Sequence, residues 1–181
     1  MRGAALPAAV GGGPRERSAA IARFPRMPES ALGVAAALLL AAAPARAQEV
    51  LILVRHAEKV DSSKDAALSA AGEARAKALA VRLRDAGIGA IYTSEYQRTR
   101  GTGQPLAEAL KLEPRVHPAK DTAGLLALLR KERGRALVVG HSNTLPEIAA
   151  AYGVTLAIGD DEYDGLYLLV PKLKSLVKLR Q

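Results

Sequence analysis

The chain has no cysteine and no tryptophan, one phenylalanine, five tyrosines and three histidines in 181 residues. Without cysteine there is no disulfide, no thiolate nucleophile and no thiolate metal site. With aromatics at 3% and no basic run interleaved with aromatic residues, the chain lacks the stacking platforms and charge footprint of nucleic-acid binders. Nucleic acid is therefore not an expected partner. The histidines show no close His/Asp/Glu ligand spacing of the H-E-x-x-H kind. Neither a metal nor a cofactor is expected. The apolar run at residues 31–43 has 13 residues, short of the ~20 that a membrane-spanning helix needs. No stable membrane span is expected.

That short run has a context. Arg15, Arg17, Arg23 and Arg26 precede it and Ala45-Arg46-Ala47 follows. A basic region, a short apolar core and an A-x-A site describe a secretory signal peptide; the competing reading is an alanine-rich stretch with no targeting role. The expectation is that residues 1–47 form the signal peptide, that cleavage follows Ala47, and that a periplasmic or secreted domain spans 48–181. Residues 1–22 also read as an over-extended start, although a start at Met27 would leave few positive charges ahead of the apolar run. The first 47 residues carry six arginines and two acids, half of the formal charge of +8. The rest of the chain is only mildly basic, which suits an anionic substrate drawn in by steering.

Residues 50–55 and 136–140 are short apolar runs that read as buried parallel strands. Strands also read at 88–93, 114–117, 165–170 and 173–180. Helices read from about 70 to 85 (ended by Gly87), after Ser94, at about 122–132 and at about 145–152. The helix after Ser94 has a capping-box start in Ser94 and Gln97. It is interrupted by Gly101, Gly103 and Pro105, and a glycine costs ~1 kcal/mol in a helix interior, so a kink or a short first helix is expected. The β-α alternation predicts an α/β fold: a three-layer α/β/α sandwich with a mostly parallel central sheet.

Two of the three histidines follow apolar strands, in Val54-Arg55-His56-Ala57-Glu58 and in Gly140-His141-Ser142-Asn143. In open α/β sheets ligands bind outside the carboxyl ends of the strands. Two imidazoles and Arg55 on one rim make a site for an anion with a nucleophile inside it. A lone histidine beside a strand is more often packed or solvated; two at matching strand ends weaken that reading. His117, between prolines, is left as structural.

The motifs Arg55-His56-Ala57-Glu58, Leu68-Ser69-Ala70-Ala71-Gly72, Thr93-Ser94-Glu95-Tyr96-Gln97-Arg98-Thr99 and Gly140-His141-Ser142-Asn143 run in the order found in the histidine phosphatase superfamily (branch 1), the phosphoglycerate mutase-like group, which the chain resembles. The short spacing is most similar to the small bacterial phosphohistidine-phosphatase type. The resemblance implies a phosphoglycerate mutase-like fold and a phosphate pocket of Arg55, His56, Arg98 and His141, with His56 as nucleophile. Such chemistry is consistent with the residue types. Two planar guanidinium forks hold a phosphoryl dianion, and neutral imidazole attacks it to give a covalent phosphohistidine that water cleaves. The bland alternatives are an Arg55–Glu58 salt bridge and a solvated Arg98.

The proton donor is the weakest part of the pattern. The acidic segment of larger family members is missing. Asp121, ahead of a helix, is one candidate, though aspartate there is an ordinary N-cap; Glu58 is the other. Ala57 stands where the family usually has glycine, and Gly101 and Gly103 depart from its helix pattern. Loops 57–67 and 153–164 would set specificity. Asp160-Asp161-Glu162 beside Tyr163 either line the entrance or cap a strand. The leading expectation is a metal-independent exported phosphatase acting on a small phosphorylated substrate or a phosphohistidine protein. A non-catalytic phosphate-binding envelope protein is the alternative, and a phosphoglycerate-type mutase ranks below both. Oligomeric state is open.

Overall fold

Leu51–Val54 is apolar at every position because both of its faces are covered. Ile52 and Val54 pack with Leu79, Leu83 and Leu106 on one side of a sheet. Leu51 and Leu53 pack with Leu129, Leu145 and Ile148 on the other. The computed structural model describes residues 48–181; the expected signal segment, 1–47, lies outside the described residues. Strand β1 is Gln48–Arg55, followed by α1, Ala70–Leu83, β2, Ile88–Thr93, and α2, Gln97–Leu110. Then come β3, Arg115–Val116, α3, Thr122–Leu129, β4, Gly134–Gly140, and α4, Thr144–Ala151. A single 3₁₀ turn, Pro171–Leu173, joins β5, Gly165–Val170, to β6, Ser175–Arg180.

The sheet order is β3-β2-β4-β1-β5-β6. The first four strands are parallel to one another. β5 and β6 are antiparallel additions at the far edge. Helices α1 and α2 cover one face and α3 and α4 the other, giving the expected α/β/α layering. β1 and β4 are in register up to Arg55↔Gly140, so the two histidines that follow leave the sheet side by side.

Three local expectations are corrected. First, α2 is one uninterrupted 14-residue helix containing Gly101, Gly103 and Pro105. Its glycines face neighbours at close range. A Cβ at Gly101 would lie 3.1 Å from Leu68 Cδ1, and one at Gly103 would lie 3.2 Å from Thr93 Cγ2. Tertiary packing has overridden helix propensity. Second, Ser94 does not cap α2. The N-cap is Tyr96, with no side-chain cap bond, and the free Gln97 N–H donates to Asp65 Oδ1 at 2.8 Å, from 32 residues away. Helix α3 also ends at Leu129 rather than 132. Ser69 caps α1 by accepting from Gly72 N at 3.2 Å. There Gly72 is required, since a Cβ would fall 2.3 Å from the Glu58 carbonyl oxygen.

Candidate active site

Arg55 ends β1 and His56 follows it, buried, with its N–H donating to Gly140 O at 2.9 Å. That bond carries the β1–β4 ladder one step beyond the strands and fixes the His56 backbone. The ring is fixed as well: Nδ1 lies 2.8 Å from the Ala57 carbonyl oxygen. A carbonyl only accepts, so Nδ1 carries the proton and Nε2 carries the lone pair. Helix α2 locks the next residue. Ala57 N donates to Thr102 Oγ1 at 2.9 Å, and that hydroxyl donates to Arg98 O at 2.7 Å.

His141 leaves β4 beside His56, with ring centroids 5.4 Å apart and edge-on. Its Nε2 lies 3.2 Å from Ser94 Oγ, which lies 2.7 Å from Thr99 Oγ1. Both histidines titrate far below the usual imidazole value, at about 4. For His56 the causes are burial, then the neighbouring His141, Arg98 and Arg55, opposed by the Ala57 bond. For His141 they are burial, then Arg98, opposed by Glu95. Both rings are therefore neutral at neutral pH, the form in which an imidazole can attack.

Arg55 is buried, and its Nη1 donates to Gly159 O at 2.8 Å and Asp160 O at 2.5 Å. Its guanidinium stacks on Tyr163 at 4.3 Å. Arg98 donates from Nη1 to Lys64 O at 2.9 Å and stacks on Tyr96 at 4.2 Å. In both arginines Nε is buried with no hydrogen-bond partner. A buried donor without an acceptor costs about 1–3 kcal/mol. Both arginines line one cleft, and their guanidinium charge suits an anion there.

The four residues that the sequence singled out for phosphate, Arg55, His56, Arg98 and His141, line one open cleft of about 410 Å³ together with Lys59, Tyr96, Ala119, Lys120 and Tyr163. The two candidate acids are elsewhere. Glu58 forms a two-pronged pair with Arg75, from Nε at 2.9 Å and from Nη2 at 2.6 Å. That partner holds its carboxyl below the usual carboxylate range, which makes it a poor proton donor. It is not paired with Arg55. Asp121 caps α3 by accepting from Gly124 N at 2.8 Å and lies 3.2 Å from His117 Nε2. Neither carboxylate lines the cleft. The acidic loop divides its roles: Tyr163 faces the cleft, while Asp160 and Asp161 line a separate surface depression. Glu162 accepts from Tyr167 OH at 2.6 Å and pairs with Lys178 at 2.6 Å.

Ser94, Tyr96, Thr102 and Tyr163 join the site without having been picked out by spacing. Ser94 carried a signal, its place at a β-strand's carboxyl end, but its capping pattern with Gln97 masked it.

Residues 51–120, under half of the chain, match the model of the histidine phosphatase superfamily (branch 1). The match takes in Arg55, His56 and Arg98; His141 lies beyond it. Among solved structures, the chain is similar to the protein histidine phosphatase SixA complexed with tungstate, at 17% identity and a TM-score of 0.54, over 72% of this chain and 94% of that one. It is also similar to the mycobacterial glucosyl-3-phosphoglycerate phosphatase Rv2419c with inorganic phosphate, at 17% and 0.58, over 74% and 95%. A third is a protein of Agrobacterium tumefaciens bearing the SixA name, at 21% and 0.55, over 72% and 96%. At these identities the likeness is one of fold. No curated protein sequence matches the chain.

Proposed function

We propose that the protein is a phosphatase that hydrolyses a phosphomonoester or a phosphohistidine through a covalent phosphohistidine on His56, without a metal. The observation that carries the proposal is the state of His56. Its Nδ1 is tied to Ala57 O at 2.8 Å, and its Nε2 is left as the nucleophilic atom in a cleft lined by two arginines with unpartnered Nε donors. Arg55 and Arg98 hold the phosphoryl oxygens. At an effective dielectric near 20, a unit-charge pair at 4 Å is worth roughly 4 kcal/mol, so two guanidiniums supply the positive charge that a metal supplies elsewhere.

Nε2 forms a bond to phosphorus as the bond to the leaving group breaks and takes its electron pair with it. Water then forms a P–O bond, and the N–P bond breaks back to Nε2, releasing phosphate. His141 stands beside the transferring oxygens. With Glu58 and Asp121 both outside the cleft, the leaving group departs without a proton from either, which favours leaving groups that need none, such as the protonated imidazole of a phosphohistidine or an aryl oxygen. Hydrolysis of para-nitrophenyl phosphate should proceed, and survive a chelator. Loss of all activity on chelation contradicts metal independence.

The missing carboxylate supports one other reading, a protein that binds phosphate without turning it over. Tight phosphate binding with no release of para-nitrophenol would establish it. The leader features of residues 31–47 support export to the periplasm or beyond, and N-terminal sequencing from the producing cell should find Gln48 first.

A further inference from the structure

The walls of the cleft carry more positive charge than one phosphoryl group uses. Besides Arg55 and Arg98, Lys59 and Lys120 line it, and among the described residues no carboxylate does. Neither lysine belongs to an ion pair among the described residues. Asp61 feels the charge of Lys59, but its Oδ1 accepts from Ser63 N at 2.7 Å. Glu95, whose charge reaches His141, is tied to Ala119 N at 2.7 Å.

Both lysines stand on fixed backbone. Lys59 is bridged to Leu68, and the next residue, Val60, donates to Ala67 O at 3.0 Å. Lys120 lies in a turn closed by Asp121 N to Pro118 O at 3.0 Å and held through Ala119 by Glu95. The cleft volume, about 410 Å³, falls within the ~300–1,000 Å³ of small-molecule sites and leaves room beyond the phosphoryl group.

We propose that the cleft takes a small phosphate ester whose leaving group carries a second anionic group, a carboxylate or another phosphate, held by Lys59 and Lys120. The inference rests on the phosphatase reading above and narrows its substrate class. The geometry is that of two sets of cations on one cleft: the arginines beside His56 for the transferred group, and the lysines for the part that leaves.

The test uses phenyl phosphate and its para-carboxy derivative on the full protein. The wild type should prefer the carboxylated ester in kcat/KM. With exposed ion pairs contributing ~0.2–1 kcal/mol each, the preference should be roughly tenfold. It should shrink severalfold in Lys59→Met/Lys120→Met and in 0.5 M salt, leaving only the intrinsic difference between the two leaving groups. Comparing the ratio between proteins cancels the difference in leaving-group basicity, which is common to all of them, and the salt series needs no variant. Hydrolysis of both esters with a ratio that neither change moves overturns this proposal alone. No hydrolysis of either ester by the wild type overturns the phosphatase reading with it.

Discussion

The two walls of the cleft present the same device, an arginine stacked on a tyrosine, but they are built on different foundations. Arg55 is buried, and its carbonyl partners belong to a loop 104 residues away in sequence. That loop is fastened through Glu162 to Tyr167 on β5 and Lys178 on β6. Arg98 leans on Lys64 O in the loop 61–65, whose residues are exposed. That loop is tied to α2 by Asp65. One wall shares its anchors with the sheet, and the other rests on a surface loop. The lesson is that equal chemistry need not mean equal cost to the fold.

Removing either guanidinium should have the largest effect after the nucleophile itself. Arg55→Ala and Arg98→Ala should each lower turnover by ~10²–10³, the loss typical of one transition-state donor. Only Arg55→Ala should also unsettle the fold, because it strips the Gly159 and Asp160 carbonyls and Tyr163 of their partner. The loss is about 1–3 kcal/mol, several degrees in Tm. Arg98→Ala should stay within ~0.5 kcal/mol of wild type. Equal falls in Tm for the two variants would erase the distinction between the walls.

The tyrosines give a smaller, sharper comparison. A stacked cation contributes ~0.5–2 kcal/mol. Tyr163→Leu and Tyr96→Leu should therefore each weaken phosphate or vanadate inhibition roughly two- to thirtyfold, and the phenylalanine variants should restore it. If Tyr163→Phe behaves like Tyr163→Leu, the hydroxyl matters and the stacking does not.

Between the walls, the histidines give a dependence of stability on pH that is absent at neutral pH and grows on acidification. Both fold with pKa values of about 4, below the ordinary 6.5. The unfolded chain therefore binds protons first as the pH falls. The stability associated with neutral histidines is complete above about 6.5 and is lost between there and about 4. Replacing His141 by asparagine should raise Tm relative to wild type progressively across that window. A Tm difference that does not change with pH would mean that His141 is not held neutral.

How legible all this is from sequence depends on where each partner lies. The strands that end at Arg55 and Gly140 follow from their apolar runs, and the layered sheet follows from the β-α alternation. The rim of Arg55, His56, Arg98 and His141 is read off those strand ends together with the family motifs. The supports are not legible, because they are remote. The Gly159 and Asp160 carbonyls that hold Arg55, like the Asp65 side chain that caps α2, carry no periodic signal. Ser94 followed by Gln97 satisfies a local capping pattern, yet its hydroxyl went to Thr99 and His141. Gly101 and Gly103 read as helix breakers because their close packing against Leu68 and Thr93 is invisible to local propensity. The candidate acids lie outside the cleft for a similar reason, since Arg75 and the α3 N-terminus hold them.

The central claim is that His56 Nε2 forms a bond to phosphorus. Rapid quench during turnover of a ³²P-labelled aryl phosphate, followed by peptide mapping, tests it directly. An acid-labile, base-stable phosphoramidate on His56 is expected. Both the label and turnover should be absent in His56→Ala, while His141→Ala forms the label more slowly. Label on His141 alone would reverse the two roles. No label, with the oxygen of water entering phosphate in one inverting step, would contradict the covalent mechanism.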